Sequence, residues 1–126
     1  MSYCSPLTTE TADAMLQWRH DFHRHPEPGL EEYRTAARVA ELLGEFGIAV
    51  HTNIGGTGVV GVLKKGSREF AIGLRADMDA LAVNEENSFR HASANKGMMH
   101  ACGHDGHMAM LLGAARTLAE NQSFDG

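Results

Sequence analysis

Positive charge is in short supply in this sequence. Its 126 residues carry Lys+Arg 11 against Asp+Glu 16, a formal net charge of −5, which withholds the basic footprint that binding nucleic-acid phosphates requires. Acidic substrates gain nothing from the overall charge either. Cysteine is equally sparse. Cys4 and Cys102 stand near opposite ends, which is not the spaced framework of a small disulfide-stapled secreted scaffold, and a reducing, cytoplasmic home is the expectation. No segment approaches the roughly 20 apolar residues of a membrane span. The opening MSYCSPLTTETAD lacks the basic stretch and apolar run of a leader. Nucleic acid and membrane are therefore not expected partners. With 43% hydrophobic and 21% charged residues, the chain has room for one core and one domain. What is plentiful is His and Gly, 8 and 14 residues, which suits a metal site or a loop-built site better than packing. The 7 Met read as core filler.

Hydrophobic period predicts three helices. Met15, Trp18 and Phe22 fall at i, i+3 and i+7, placing a helix from Thr11 to the His25-Pro26 boundary, because a residue before Pro avoids the α region. Ala36, Val39, Leu43 and Phe46 share a second helical face that Gly47 ends, with Arg34, Arg38, Glu41 and Glu45 outside the stripe. Met108, Leu111, Leu112, Ala115 and Leu118 give a third, from Asp105 to about Glu120, with Asp105 placed to cap it and the leucines facing the core. Between them, 48–52, 57–63 and 70–74 read as strands, the last two as a hairpin. Phe70 to Leu74 is apolar enough for a central strand covered on both faces. From Arg75 to Ala101 no period holds, and such long irregular connections are usually functional. Phe124 starts what reads as another strand. The expected class is α/β, a mixed sheet flanked by helices.

Three clusters carry the chemistry. The densest is His100-Ala101-Cys102-Gly103-His104-Asp105-Gly106-His107. Thiolate, imidazole and carboxylate together form the ligand set of zinc-like metals. In an extended segment Cys102 and His104 lie on one side and reach one ion, with Gly103 allowing the backbone to bend. His107 reads as facing substrate or supporting a ligand. The second cluster, Arg75-Ala76-Asp77-Met78-Asp79-Ala80-Leu81, sits at the carboxyl end of the expected central strand, where α/β sheets bind ligands. Asp77 and Asp79 point the same way, able to hold a cation, to fix the ring nitrogens of metal-bound histidines, or simply to bond loop backbone. The third, Phe22-His23-Arg24-His25-Pro26-Glu27, is taken as structural, a basic helix end favoured by the helix dipole.

These three strings resemble successive signatures of the hippurate hydrolase and N-acyl-amino-acid amidohydrolase branch of the aminoacylase and zinc carboxypeptidase superfamily. The likeness spans nearly the whole chain, and the His-Ala-Cys-Gly-His-Asp-Gly-His string is its most specific part. It implies an incomplete, zinc-aminopeptidase-like catalytic domain that hydrolyses the amide of N-acyl or N-aroyl amino acids with two divalent ions, zinc, manganese or cobalt. It assigns Cys102 and His104 as metal ligands. Asp79 enters the catalytic set, as an orienting carboxylate by comparison with sister branches, while Asp77 and His107 lie one layer out or face substrate. Ala82 stands where the family usually has Pro, which loosens a loop without removing a reactive group. The paired Glu of the family, its later His ligands and its dimerisation domain would lie beyond Gly126. Residues 1–126 are thus expected to be the amino-terminal portion of the catalytic domain of a homodimeric parent, inactive alone and prone to self-associate through an uncovered sheet edge.

Two other readings stay open. One is a thiol hydrolase with Cys102 as nucleophile and His104 or His107 as base; the shared-ligand look of Cys-Gly-His favours metal. The other is a non-catalytic scaffold piece that binds metal weakly or not at all, since two protein ligands leave an ion mostly hydrated.

Overall fold

The computed structural model describes residues 7–121 and 123–126; Cys4 lies outside the described residues. Helix α1 spans Thr9–Arg24. It begins where the Thr8 hydroxyl accepts the Thr11 N–H at 3.1 Å, an N-cap of the usual kind, and ends at the expected His25-Pro26 boundary. Helix α2, Tyr33–Glu45, has no cap from its neighbouring residue Glu32. Its free N–H groups are taken instead by Glu27, whose carboxylate accepts from Arg34 N at 2.9 Å and Thr35 N at 2.6 Å. A turn of the chain ahead of the helix thus satisfies donors that would otherwise be orphaned. Gly47, at φ 76°, ends α2 as expected.

Strands β1 (Ala49–Ile54) and β2 (Gly58–Val62) pair antiparallel around Gly55 and Gly56, both at positive φ. The hairpin therefore joins the first two expected strands, not the last two. It rests on α2 at Gly61, where an added Cβ would come within 3.2 Å of Leu43.

Phe70 to Leu74 is not a strand. Among the described residues no backbone hydrogen bond ties it to another segment, and Phe70, Ile72 and Leu74 are 68%, 75% and 58% exposed. An apolar run signals burial, but a strand exists only by pairing, and among the described residues these have no partner strand. Phe124 likewise starts no strand, although Lys65 and Gly126 exchange backbone hydrogen bonds of 2.8 Å. Elsewhere the sheet character is reduced to two isolated bridges, Pro28 with Ala80 in parallel and Leu81 with Met99 antiparallel.

Helix α3, His104–Glu120, crosses α1 closely. An added Cβ at Gly113 would meet the Met15 sulfur at 2.3 Å, so a larger residue there would have to displace the Met15 side chain. The core is Trp18, Phe22, Leu42, Met108 and Leu112, with Met15, Val39, Leu43 and Phe46 packed on it. Leu112 is buried in this core as its period predicts, while Leu111 and Leu118 are half-buried and are not among the residues packed on it. The helices thus form the body of the molecule, and the 75–101 connection is draped across their ends. It is fixed by Ala80 N–H to Glu27 O and Ala94 N–H to Arg24 O, both 2.8 Å. No helix among the described residues is long and apolar enough to cross a membrane.

Candidate metal centre

The start of α3 is set by Gly103, the N-cap, in the left-handed conformation at φ 82°. Cys102 stands in the turn just before it, exposed and free. The segment from Cys102 to His104 is therefore a turn into a helix rather than the extended piece expected, because the left-handed glycine reverses the chain there. Nor does Asp105 cap the helix. It lies inside the first turn, 1% exposed, with its carboxylate directed at other elements.

His104 is the best-organised candidate ligand. Its Nδ1 lies 2.9 Å from Asp79 Oδ1 and 3.0 Å from the Asp79 carbonyl oxygen. Both oxygens are acceptors, so Nδ1 carries the proton and donates, leaving the Nε2 lone pair free. That is the carboxylate–histidine arrangement that fixes the tautomer and orientation of metal-bound imidazoles. Asp77 Oδ2 is 4.0 Å from Nε2, and the Arg75 guanidinium pairs with the other Asp77 oxygen. His107, exposed, has its ring 5.7 Å from that of His104. The structure thus brings Asp77, Asp79, His104 and His107 into one neighbourhood at the mouth of α3, with Cys102 on the preceding turn. The donors fit a divalent ion in kind, being imidazole, thiol and carboxylate. They fall short in number: among the described residues no three His, Cys, Asp or Glu side chains are grouped to hold a metal. Nor does any hydrogen bond among the described residues join the Cys102 sulfur to a histidine, as a thiol–imidazole nucleophile would want.

Behind this edge lies a second polar cluster. His23, near the end of α1, has Nδ1 at 2.8 Å from Asp105 Oδ2 and Nε2 at 2.8 Å from Glu85 Oε1. Burial pulls its pKa down, but the hydrogen bonds it donates to Glu85 and Asp105 outweigh that and hold it above the ordinary 6.5. Burial pushes Glu85 up, yet hydrogen bonds from Asn87, Ser93 N–H and His23 bring it down to about 2. Arg19 stands 3.5 Å from Asp105. His23 is structural, as expected, but through two buried carboxylates rather than the helix dipole. His25 is bonded within its own helix to the Asp21 carbonyl at 2.8 Å, and His20 stacks on His91 at 3.7 Å. His100 is buried with neither ring nitrogen hydrogen-bonded among the described residues, as is Asp105 Oδ1. Burial holds His100 below its ordinary pKa. Nothing local in the sequence marks the Glu85–His23–Asp105 chain, whose members lie 62 and 82 residues apart.

Known proteins resemble this chain in sequence and in fold. Residues 73–126 match the profile of peptidase family M20/M25/M40. The chain is 54% identical over 108 residues to a hippurate hydrolase of Campylobacter jejuni, covering 86% of this chain and 28% of that protein. An N-acyl-L-amino acid amidohydrolase of Geobacillus stearothermophilus is 43% identical over 114 residues, covering 90% and 31%. The crystal structure of a Bacillus subtilis dinuclear metal-binding peptidase of the M20 family superposes with a TM-score of 0.87 at 32% identity, covering 92% of this chain and 33% of that one. The chain thus spans under a third of the length of these curated relatives. The His-Ala-Cys-Gly-His-Asp-Gly-His string lies inside the segment that matches the M20 family, and the chain shares its fold with an M20 peptidase, so it is similar to that family over about a third of a member's length.

Proposed function

We propose that this chain supplies one edge of the active site of a metal-dependent amidohydrolase that cleaves the amide of N-acyl or N-aroyl amino acids. In this reading residues 1–126 are the amino-terminal portion of the catalytic domain, and the further ligands, the base that activates water and the dimerisation domain belong to the rest of a homodimeric, cytoplasmic protein. The observation that carries it is the His104 imidazole, anchored at Nδ1 by Asp79 with Nε2 left free. The names of the relatives, hydrolases of hippurate and of N-acyl amino acids, support the substrate class.

His104 Nε2 and the Cys102 thiolate would hold one of two divalent ions, zinc, manganese or cobalt. When bound, such ions lower the pKa of a water and polarise the amide carbonyl. Asp79 keeps the proton on Nδ1, so its part in catalysis runs through the orientation of His104. Asp77, pinned by Arg75, adds negative charge beside Nε2. His107, one turn further along α3, is within reach of a substrate at His104.

In the protein that carries this chain, Cys102→Ala and His104→Ala should each remove most hydrolysis of hippurate, and a chelator should do the same. The 126 residues alone should turn over nothing. Hydrolysis that survives chelation yet is lost in Cys102→Ser would assign the reaction to a thiol nucleophile instead.

A further inference from the structure

His23 presents a proton-counting problem. A neutral imidazole has a single N–H, yet both ring nitrogens lie 2.8 Å from carboxylate oxygens on two different elements, Asp105 in α3 and Glu85 in the 81–99 connection. Both bonds can be made at once only by the imidazolium. Glu85 is itself tied to its loop by the Ser93 N–H and by Asn87. One buried cation on α1 therefore fastens two segments that otherwise meet through the His104–Asp79 hydrogen bonds at the candidate site itself. Those two segments carry the candidate site. Asp105 is next in the chain to His104, and Leu81, which pairs with Met99, lies two residues after Asp79. The groups facing His23 are Glu85 and His91 from the connection, Asp105 from α3, His100 from the turn before it, and Arg19 from α1 through Asp105.

We propose that His23, bridging Glu85 and Asp105, is a positioning residue that holds the first turn of α3 against the 81–99 connection, and so sets His104 on Asp79 and Cys102 beside it for metal. This rests on the reading of Cys102 and His104 as ligands. It assigns the Phe22-His23-Arg24-His25-Pro26-Glu27 string a part in building the site without touching metal or substrate.

The test is a Co2+ titration of the protein that carries this chain, read by the thiolate-to-cobalt absorption band. It compares wild type with His23→Gln, Glu85→Gln and Asp105→Asn, at a temperature where each is fully folded by circular dichroism. Arg116→Gln is the control for general weakening, because it removes the α1–α3 ion pair to Glu10 at the far end of the helices. The three clamp variants should each weaken Co2+ binding by about tenfold, the low end for groups that orient metal ligands, while Arg116→Gln leaves it unchanged. A band in wild type with equal affinity in all variants would overturn the positioning role and leave the ligand assignment standing. Equal losses in the clamp variants and in Arg116→Gln would also overturn it, as a stability effect. No Cys102-dependent band in wild type, with Cys102→Ser as reference, would overturn the ligand assignment and this role with it.

Discussion

Two histidines, one of them next in the chain to the other's carboxylate, are used in opposite ways. At the end of α1, His23 is bonded through both ring nitrogens to buried Asp105 and Glu85. At the start of α3, His104 is bonded through Nδ1 alone. A ring with both nitrogens engaged by anions is a charged structural strut and offers no lone pair. A ring with a single nitrogen engaged is oriented and still has a lone pair to give. The difference separates the residue that builds the site from the one that serves it, although both occur in histidine-rich strings of the sequence.

The contrast is sharpest in stability. His23→Ala should destabilise the chain by about 3–5 kcal/mol in urea unfolding, because it leaves Asp105, 1% exposed, as a buried anion short of its main partner. His104→Ala should cost about 1 kcal/mol or less, since Asp79 is half-exposed and turns to water. Comparable costs for the two would erase the distinction.

Metal reverses the order for direct effects. Asp79→Asn should weaken divalent-metal binding by roughly 10- to 100-fold with little change in melting temperature, measured by calorimetric titration with Zn2+. Unchanged affinity would mean that the His104 ring needs no anchor.

A third prediction concerns pH. His23 has its pKa raised, so its contribution is complete below the ordinary 6.5 and is lost as pH rises through the raised value. Glu85 has its pKa lowered, so its contribution is complete above the ordinary 4.5 and is lost as pH falls towards about 2. The melting temperature should therefore be flat between those ordinary values and fall on both sides. In Glu85→Gln the alkaline limb should move to lower pH, because one of the carboxylates that raises His23 is gone. An unmoved alkaline limb would place the titration elsewhere.

The smallest effect is expected at His20. Its ring stacks on His91, which stacks in turn on Phe89 at 4.0 Å, so His20→Ala should cost about 1 kcal/mol or less and leave metal binding untouched.

What was legible in the sequence follows from the range of each interaction. The helices were readable because Met15, Trp18 and Phe22, or Met108 and Leu112, repeat with the helical period and face one core. The candidate donors around His104 are nameable from the sequence because they fall in two short strings, 75–81 and 100–107. Phe70 to Leu74 was misread because the run reports apolarity, while strand formation depends on a partner. Asp105 reads as a cap in the sequence because its position beside the helix start is what a cap looks like locally. Its bond to His23, 82 residues away, is tertiary and leaves no local trace. The same holds for Glu27 capping α2 from its preceding turn.

The most direct test of the ligand assignment is 15N NMR of the His104 ring as Zn2+ is added to the protein that carries this chain. The predicted result is that Nε2 takes the shift of a metal-bound nitrogen while Nδ1 keeps its proton and its bond to Asp79, and that Cys102→Ser weakens the effect. Zinc arriving at Nδ1, or at neither nitrogen, would contradict it.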